Sequence, residues 1–370
     1  MVRYSDQGQR FLVDPYRDWA NAEGVPIHEG FGLDLLAVDV GPWPRLAAKG
    51  ALIHLRGRGD FVDCQLVELD PGGQADEQRH LYEEVVYVLA GRGSTTVEAR
   101  GRKVSFEWAT GSLFALPPNA RYRHFNTSGR EPARLAAVTS LPLLLKAFHD
   151  PDFVFANDFD FSRRMGTESS YKGQGELIPV RPGRHQWETN FVPDLRSFEL
   201  KAWESRGVGS SNIKFVLADG TMHAHMSELA AGTYKKAHRH GPDFHIFPVN
   251  GHGYSLFWRA GDPDFTRIDW RHGWVYAPPD QVFHQHFNTA PQPSRYLAVA
   301  YGSIRYPFTS DKRELFGGGD RSLSQGGRQI EYEDEDPRVA EMFRAALLEN
   351  GIEPDPRMEE RWSNRTASAT

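Results

Sequence analysis

The chain has 370 residues, 39% hydrophobic and 25% charged, the length and make-up of a globular protein of two ordinary domains. Its net charge of −6 offers no surplus of Lys and Arg and argues against a nucleic-acid surface. A single cysteine, Cys64, excludes an intrachain disulfide and a cysteine metal cluster, and it favours a cytosolic setting.

The opening residues, MVRYSDQGQRFLVDPYRDW, hold no apolar run long enough for a leader or a membrane span, so a cytoplasmic protein without membrane contact is expected. Residues 1–49 read as an N-terminal arm. From there an internal repeat organises the chain. QRHLYEEVVYVLAGRG, from Gln78, aligns without a gap on HRHGPDFHIFPVNGHG, from His238: Arg79 falls on Arg239, His80 on His240, Gly91 on Gly251 and Gly93 on Gly253. Further on, PPNARYRHFNT (117–127) pairs with PPDQVFHQHFNT (278–289), and each is followed by a Pro-x-Arg and an apolar run. Both units consist of short runs rich in β-branched, aromatic and aliphatic residues, bounded by Gly and Pro. That pattern predicts a mainly β protein of two sandwiches or barrels, at 50–142 and 211–305.

Between them, LPLLLKAFHDPDFVF predicts a helix followed by a loop, within a linker over 143–210 whose Gly-, Ser- and charge-rich part (165–210) should lie on the surface. Residues 306–370 read as a C-terminal arm and helix. The arm, 317–335, looks irregular, with the acidic run EYEDED solvated. The helix opens at Asp336 as cap and Pro337 and stops at Gly351, and the last ten residues should be without order.

Nine of the fifteen histidines fall between His223 and His286. Residues two apart on a strand face the same side. Gly232-Thr-Tyr-Lys-Lys-Ala-His238-Arg-His240 therefore presents His238 and His240 together, while the segment after Gly273 presents His284, His286 and Asn288 together. Three imidazoles from two strands can surround one divalent ion and leave positions open for a ligand. His286, on the same face as His284, is read as orienting a ligand or moving a proton, against a plain buried core residue. His245 is set facing out, opposite Val85. His223 and His225 lack the flanking glycines and are read as surface or strand-edge residues.

These segments resemble the two motifs of the cupin superfamily: a Gly, five residues, His-x-His and a strand-ending Gly, then a Gly, a Pro turn, and a His with Asn four residues later. The resemblance covers both repeat units and implies two cupin (jelly-roll) barrels, the second holding one metal ion per chain at His238, His240 and His284. Many cupins add a Glu four residues after the second His. That position is Glu84 in unit one but Phe244 in unit two. An all-histidine set followed by an apolar residue looks most like the gentisate/salicylate-type ring-cleaving dioxygenases, although there the working site usually lies in the first barrel. The resemblance thus implies an Fe(II) dioxygenase acting with O2 on a hydroxylated aromatic or enolisable carboxylic acid, with Mn, Ni, Cu and Zn as other ions that accept imidazole. The alternatives are a non-redox cupin lyase, isomerase or decarboxylase, and a non-catalytic binding bicupin. By analogy, barrel-to-barrel association into a homodimer or larger homo-oligomer is implied, with the two arms free to exchange.

Substrate contacts are sought at Trp258, Arg259, Arg271 and Trp274, where an arginine would hold a carboxylate by two hydrogen bonds. Arg239 should point away, between the two ligands. In unit one Gln78 and Tyr122 replace two of the three histidines. A weak second site could be built only from His80, Glu84 and His124, and a structural barrel is the favoured reading there.

Overall fold

A computed structural model describes residues 13–241, 244–303, 305–306 and 320–368. The opening twelve residues and the start of the C-terminal arm, 317–319, lie outside the described residues.

Two β-barrels make up most of the chain. The large sheet of barrel one runs Ile27–Gly30, Ala48–Leu55, Asp63–Leu69, Ala133–Thr139, Glu84–Ala90, Leu113–Ala115 and Phe191–Val192. It is faced by a small sheet of Arg121–Asn126, Arg92–Ala99 and Arg102–Ala109. The large sheet of barrel two runs Glu176–Arg181, Arg184–Thr189, Ser211–Leu217, Met222–Leu229, Ser294–Tyr301, His245–Asn250, Trp274–Tyr276 and Gly32–Asp34. Its small sheet is Thr266–Arg271, His252–Trp258 and Phe283–Asn288.

The two large sheets pack face to face, and strand alternation decides what each face carries. In Glu84–Ala90, Val85, Tyr87 and Leu89 enter the core between the barrels, while Val86 and Val88 line the interior of barrel one. In Met222–Leu229, Met222, Ala224 and Met226 enter the same shared core. Tyr87 and Phe247 meet across it with ring centroids 5.8 Å apart. The alternation is maintained by matching turns. Gly91 and Gly251, paired by the repeat, both have positive φ (85° and 73°), and a Cβ on Gly251 would lie 1.9 Å from the Ser294 hydroxyl oxygen.

The repeat is longer than the sequence suggested. Ile27–Gly30 pairs in parallel with Ala48–Leu55, as Arg184–Thr189 does with Ser211–Leu217. A few residues further on, each segment crosses to the other barrel. Gly32–Asp34 pairs with Trp274–Tyr276 of barrel two, and Phe191–Val192 pairs with Leu113–Ala115 of barrel one. Arg134 binds Glu68 and the carbonyls of Leu35 and Val38; Arg295 binds Glu228 and the carbonyls of Leu195 and Phe198. The part of 143–210 expected as a surface linker thus carries sheet strands, because Gln186 and Thr189 are buried against barrel two. The strands of the N-terminal arm among the described residues pair within their own chain.

Helices close the outer ends. Pro15–Ala22 packs on Leu141–Phe148 and Pro151–Phe155 over Leu52 and Tyr82 of barrel one. Pro337–Glu349 is capped by the Asp336 side chain, as its sequence predicts. With Pro356–Ser368 it covers the outer face of barrel two's small sheet, where Phe343 and Trp362 meet Tyr234, Tyr254 and Phe287. The expected disorder of the last ten residues is overturned as far as Ser368. Trp362 is buried and donates its indole N–H to the Tyr234 hydroxyl at 3.0 Å. The acidic run is not all solvated either, since Glu335 is buried and accepts from Tyr234 and Gln285.

Phe247→Ala should cost ~3–5 kcal/mol, because it opens a cavity in the core shared by both barrels. Leu348→Ala, at an exposed site, should change stability by less than about 0.5 kcal/mol. Chemical denaturation followed by circular dichroism measures both.

Candidate metal centre

His238 and His284 lie opposite one another and exchange both backbone hydrogen bonds, at 3.1 and 2.9 Å. His240, two residues on, reaches the same side, and one nitrogen of each ring lies within 4.8 Å of the others. The backbone sets the orientation of all three rings. His238 Nδ1 faces the carbonyl of Lys236 at 3.2 Å, His240 Nδ1 that of Gly241 at 2.9 Å, and His284 Nδ1 that of Val282 at 3.1 Å. A carbonyl can only accept, so each Nδ1 carries the proton and each Nε2 keeps a free lone pair. The His284 Nε2 is buried with no hydrogen-bond partner. Burial pushes His238 and His284 well below the ordinary imidazole range and His240 to about 4, so all three are neutral at pH 7, as metal ligation requires.

Phe244 stands where many cupins place a carboxylate ligand, with its ring 4.2 Å from that of His240. His286 is set back. Its Nδ1 meets the Ser255 hydroxyl at 2.8 Å, and that oxygen also accepts from the Trp270 indole N–H. Barrel one repeats the device in His124, Thr95 and Trp108. Asn288 plays a structural part: its amide N–H groups bind the carbonyls of Leu229, Ala230 and Gln292, as Asn126 binds those of Leu69, Asp70 and Glu131.

The histidines open into a cavity of about 120 Å³ inside barrel two. Four basic side chains, Arg184, Arg206, Lys214 and Lys235, share its wall with Trp203, Tyr296 and the apolar Phe244, Ile246 and Ala298, and among the described residues no acidic side chain lines it. His223 and His225 line it too, hydrogen-bonded to each other at 2.7 Å. They are not surface residues, because their strand alternates Met222, Ala224 and Met226 into the shared core and so turns them inward. His245 does face away from the cavity but is wholly buried, on the side of its strand that carries Phe247 and Val249.

The four expected substrate contacts lie elsewhere. Trp258 shares the outer face of its strand with Tyr254 and Leu256 and packs on Phe265 and Phe283. Arg259 falls beyond that strand in an exposed turn. On Thr266–Arg271, Ile268 and Trp270 point in, so Arg271 points out, 69% exposed, to Asp34. Trp274 packs at the barrel end beside Gly32. Arg239 points away as expected, over the Phe283 ring.

The residues that sequence reasoning missed are the cavity's cations. Arg184 and Arg206 sit in the stretch taken for a linker. Lys214 could have been found by alternation, since Ile213 and Phe215 beside it enter the shared core.

In barrel one, Gln78 and Tyr122 form the backbone bridge that His238 and His284 form in barrel two. His80 keeps its Nδ1 on a carbonyl, that of Tyr82, but its Nε2 is met by the Tyr122 hydroxyl at 2.9 Å. Glu84 lies 3.7 Å from His80, and His124 Nδ1 is bound to Thr95. Among the described residues His80, Glu84 and His124 do not bring their ligand atoms together as a set, and the Tyr122 hydroxyl takes up the His80 Nε2.

Residues 65–139, in barrel one, match the family described as Cupin domain, and barrel two repeats its architecture, so the protein has a two-barrel cupin fold. An 86-residue stretch is 34% identical to the L-ectoine synthase of Bordetella petrii, a match that takes in 23% of this chain and 62% of that protein's length. The fold is also similar to the Lactobacillus farciminis oxalate decarboxylase in its formate complex (13% identity, TM-score 0.48, 75% of this chain and 87% of that one). It is similar as well to the Corylus avellana vicilin (10% identity, TM-score 0.47, 73% and 85%). No helix among the described residues is long and apolar enough to cross a membrane.

His240→Ala or His284→Ala should leave the folded protein without bound divalent ion, whereas His80→Ala should leave the content unchanged. Elemental analysis after dialysis reads this directly. A second expectation concerns pH. Burial holds His124 neutral down to about pH 4, against an ordinary value of 6.5. On acidification the unfolded chain takes up this proton first, so stability is lost between pH 6.5 and about 4, by roughly 3 kcal/mol from this group. Unfolding midpoints of the metal-free protein should fall less steeply over that window in His124→Phe than in the wild type.

Proposed function

We propose that the protein is a metal-dependent, non-redox enzyme acting inside barrel two on a small organic acid, by lyase, isomerase or decarboxylase chemistry. The observation that carries this reading is the meeting, in one cavity, of three inward imidazole nitrogens and a wall of Lys and Arg. The residues fit a divalent ion: His284 Nε2 is a buried acceptor without a donor, and all three Nδ1 atoms are fixed as donors by carbonyls. His238, His240 and His284 would hold the ion, and Fe(II), Mn, Ni, Cu and Zn all accept such a set. When bound, the ion would supply Lewis-acid polarisation of a substrate oxygen.

The chain's own residues supply the rest. The cations of the wall attract and orient an acid. Phe244, Ile246 and Ala298 keep part of the wall apolar and limit water. Lys235 Nζ donates to the Tyr296 hydroxyl at 2.8 Å, and burial pushes the Lys235 ammonium well below its usual range, so this pair can hold and release a proton at the cavity wall. The likeness to a synthase supports an enzyme over a binding bicupin, and it favours the non-redox reading over the Fe(II) dioxygenase that the motifs suggested.

Turnover of the acid substrate should proceed under anaerobic conditions and consume no oxygen. An oxygen electrode run alongside product analysis on a panel of small aliphatic and aromatic acids decides the matter. Stoichiometric oxygen uptake with a hydroxylated aromatic acid would return the dioxygenase reading.

A further inference from the structure

Lys214 lies inside barrel two, lines the cavity, and makes no hydrogen bond or ion pair among the described residues. Among the described residues the charges around it do not balance. Asp320 is shared among Arg181, Arg184 and Arg206, and Lys235 has the neutral Tyr296 hydroxyl as its hydrogen-bond partner. An ammonium enclosed without an acceptor is costly unless a ligand brings the charge. Burial, and then Arg184, push the Lys214 ammonium down to about 7, so an anion placed beside it would favour its charged form.

Barrel one shows what the same place looks like when the fold satisfies itself. Lys214 pairs in register with His225, and the matching pair in barrel one is Leu52 with Gln65. There the lysine position is apolar and lies under the N-terminal helix. Asp63, at the place of His223, accepts from Tyr16 of that helix and from Thr139 and Gln65. Barrel one is filled by its own chain, whereas barrel two keeps the space and the charge.

We propose that Lys214, Lys235 and Arg184 seat a second anionic group, so that the ligand of this site is a short dicarboxylic acid with one carboxylate toward the three histidines and the other on these cations. This rests on the metal-centred reading above for the first carboxylate only. Arg184 and Lys235 are positioned for it by Trp203, over which they lie at 3.4 and 5.3 Å, and by Asn212, which accepts from Arg184 at 3.3 Å. A volume of about 120 Å³ limits the ligand to a short chain.

The test is isothermal titration of the Mn(II)-loaded full chain with malonate, succinate and glutarate against propionate, butyrate and valerate. The best dicarboxylate should bind at least about tenfold tighter than the monoacid of equal length, the effect of one extra charge-assisted contact. Lys214→Met, checked for unchanged circular dichroism and manganese content, should cut the ratio of dicarboxylate to monoacid affinity to about threefold or less. Equal binding of the two classes, binding of neither, or a preference that survives in both Lys214→Met and Arg184→Met overturns the proposal. Failure of the metal reading looks different: no stoichiometric manganese is retained and His240→Ala leaves monoacid affinity unchanged, while a dicarboxylate preference that depends on Lys214 persists.

Discussion

The strands of the two large sheets are pressed between two unlike compartments, and most of the molecule follows from that. On one side lies the core shared by the barrels; on the other lies a barrel interior. With a period of two residues, one slip would exchange every side chain between them. The shared core accepts Ile213, Phe215, Met222, Ala224, Met226 and Phe247 and rejects charge, so Lys214, His223 and His225 have no place but the interior. The cavity's chemistry is in this sense the complement of the apolar contact between barrels.

Within that frame the ligand set is prepared by the backbone. A histidine whose Nδ1 faces a carbonyl has its tautomer chosen before any ion arrives, and three such rings around one point lose little freedom on binding. Barrel one isolates the part played by side chains. It keeps the backbone bridge, the carbonyl behind His80 and the Trp–Thr–His stack, yet a phenol in place of one imidazole supplies the donor that satisfies His80. One residue type at one position turns an open acceptor into a closed hydrogen bond.

Much of this was legible in the sequence. Two barrels followed from the repeat, and the convergence of His238, His240 and His284 followed from strand spacing, because both rest on local periodicity. The cations were harder to see. Arg184 and Arg206 reach the cavity through long-range pairing of a segment whose composition looks like a surface loop, and Trp258, Arg259 and Arg271 looked attractive only because the parity of their strands was unknown. Where alternation could be read from neighbours, as at Lys214 between Ile213 and Phe215, the information was present; where a turn or a crossing set the direction, it was not.

The crossing segments bear on why a barrel without a ligand set persists. Gly32–Asp34 belongs to the first repeat yet forms the edge of the second barrel's sheet, and Phe191–Val192 returns the exchange. Each half of the molecule is thus completed by a strand encoded in the other, as in a two-fold symmetric dimer whose subunits have been fused. A substitution that unfolds one half therefore also exposes a sheet edge in the other. The first barrel, with Gln78 and Tyr122 where the second has His238 and His284, is needed for its shape, and a gene fragment encoding only the second would lack one edge of its own sheet.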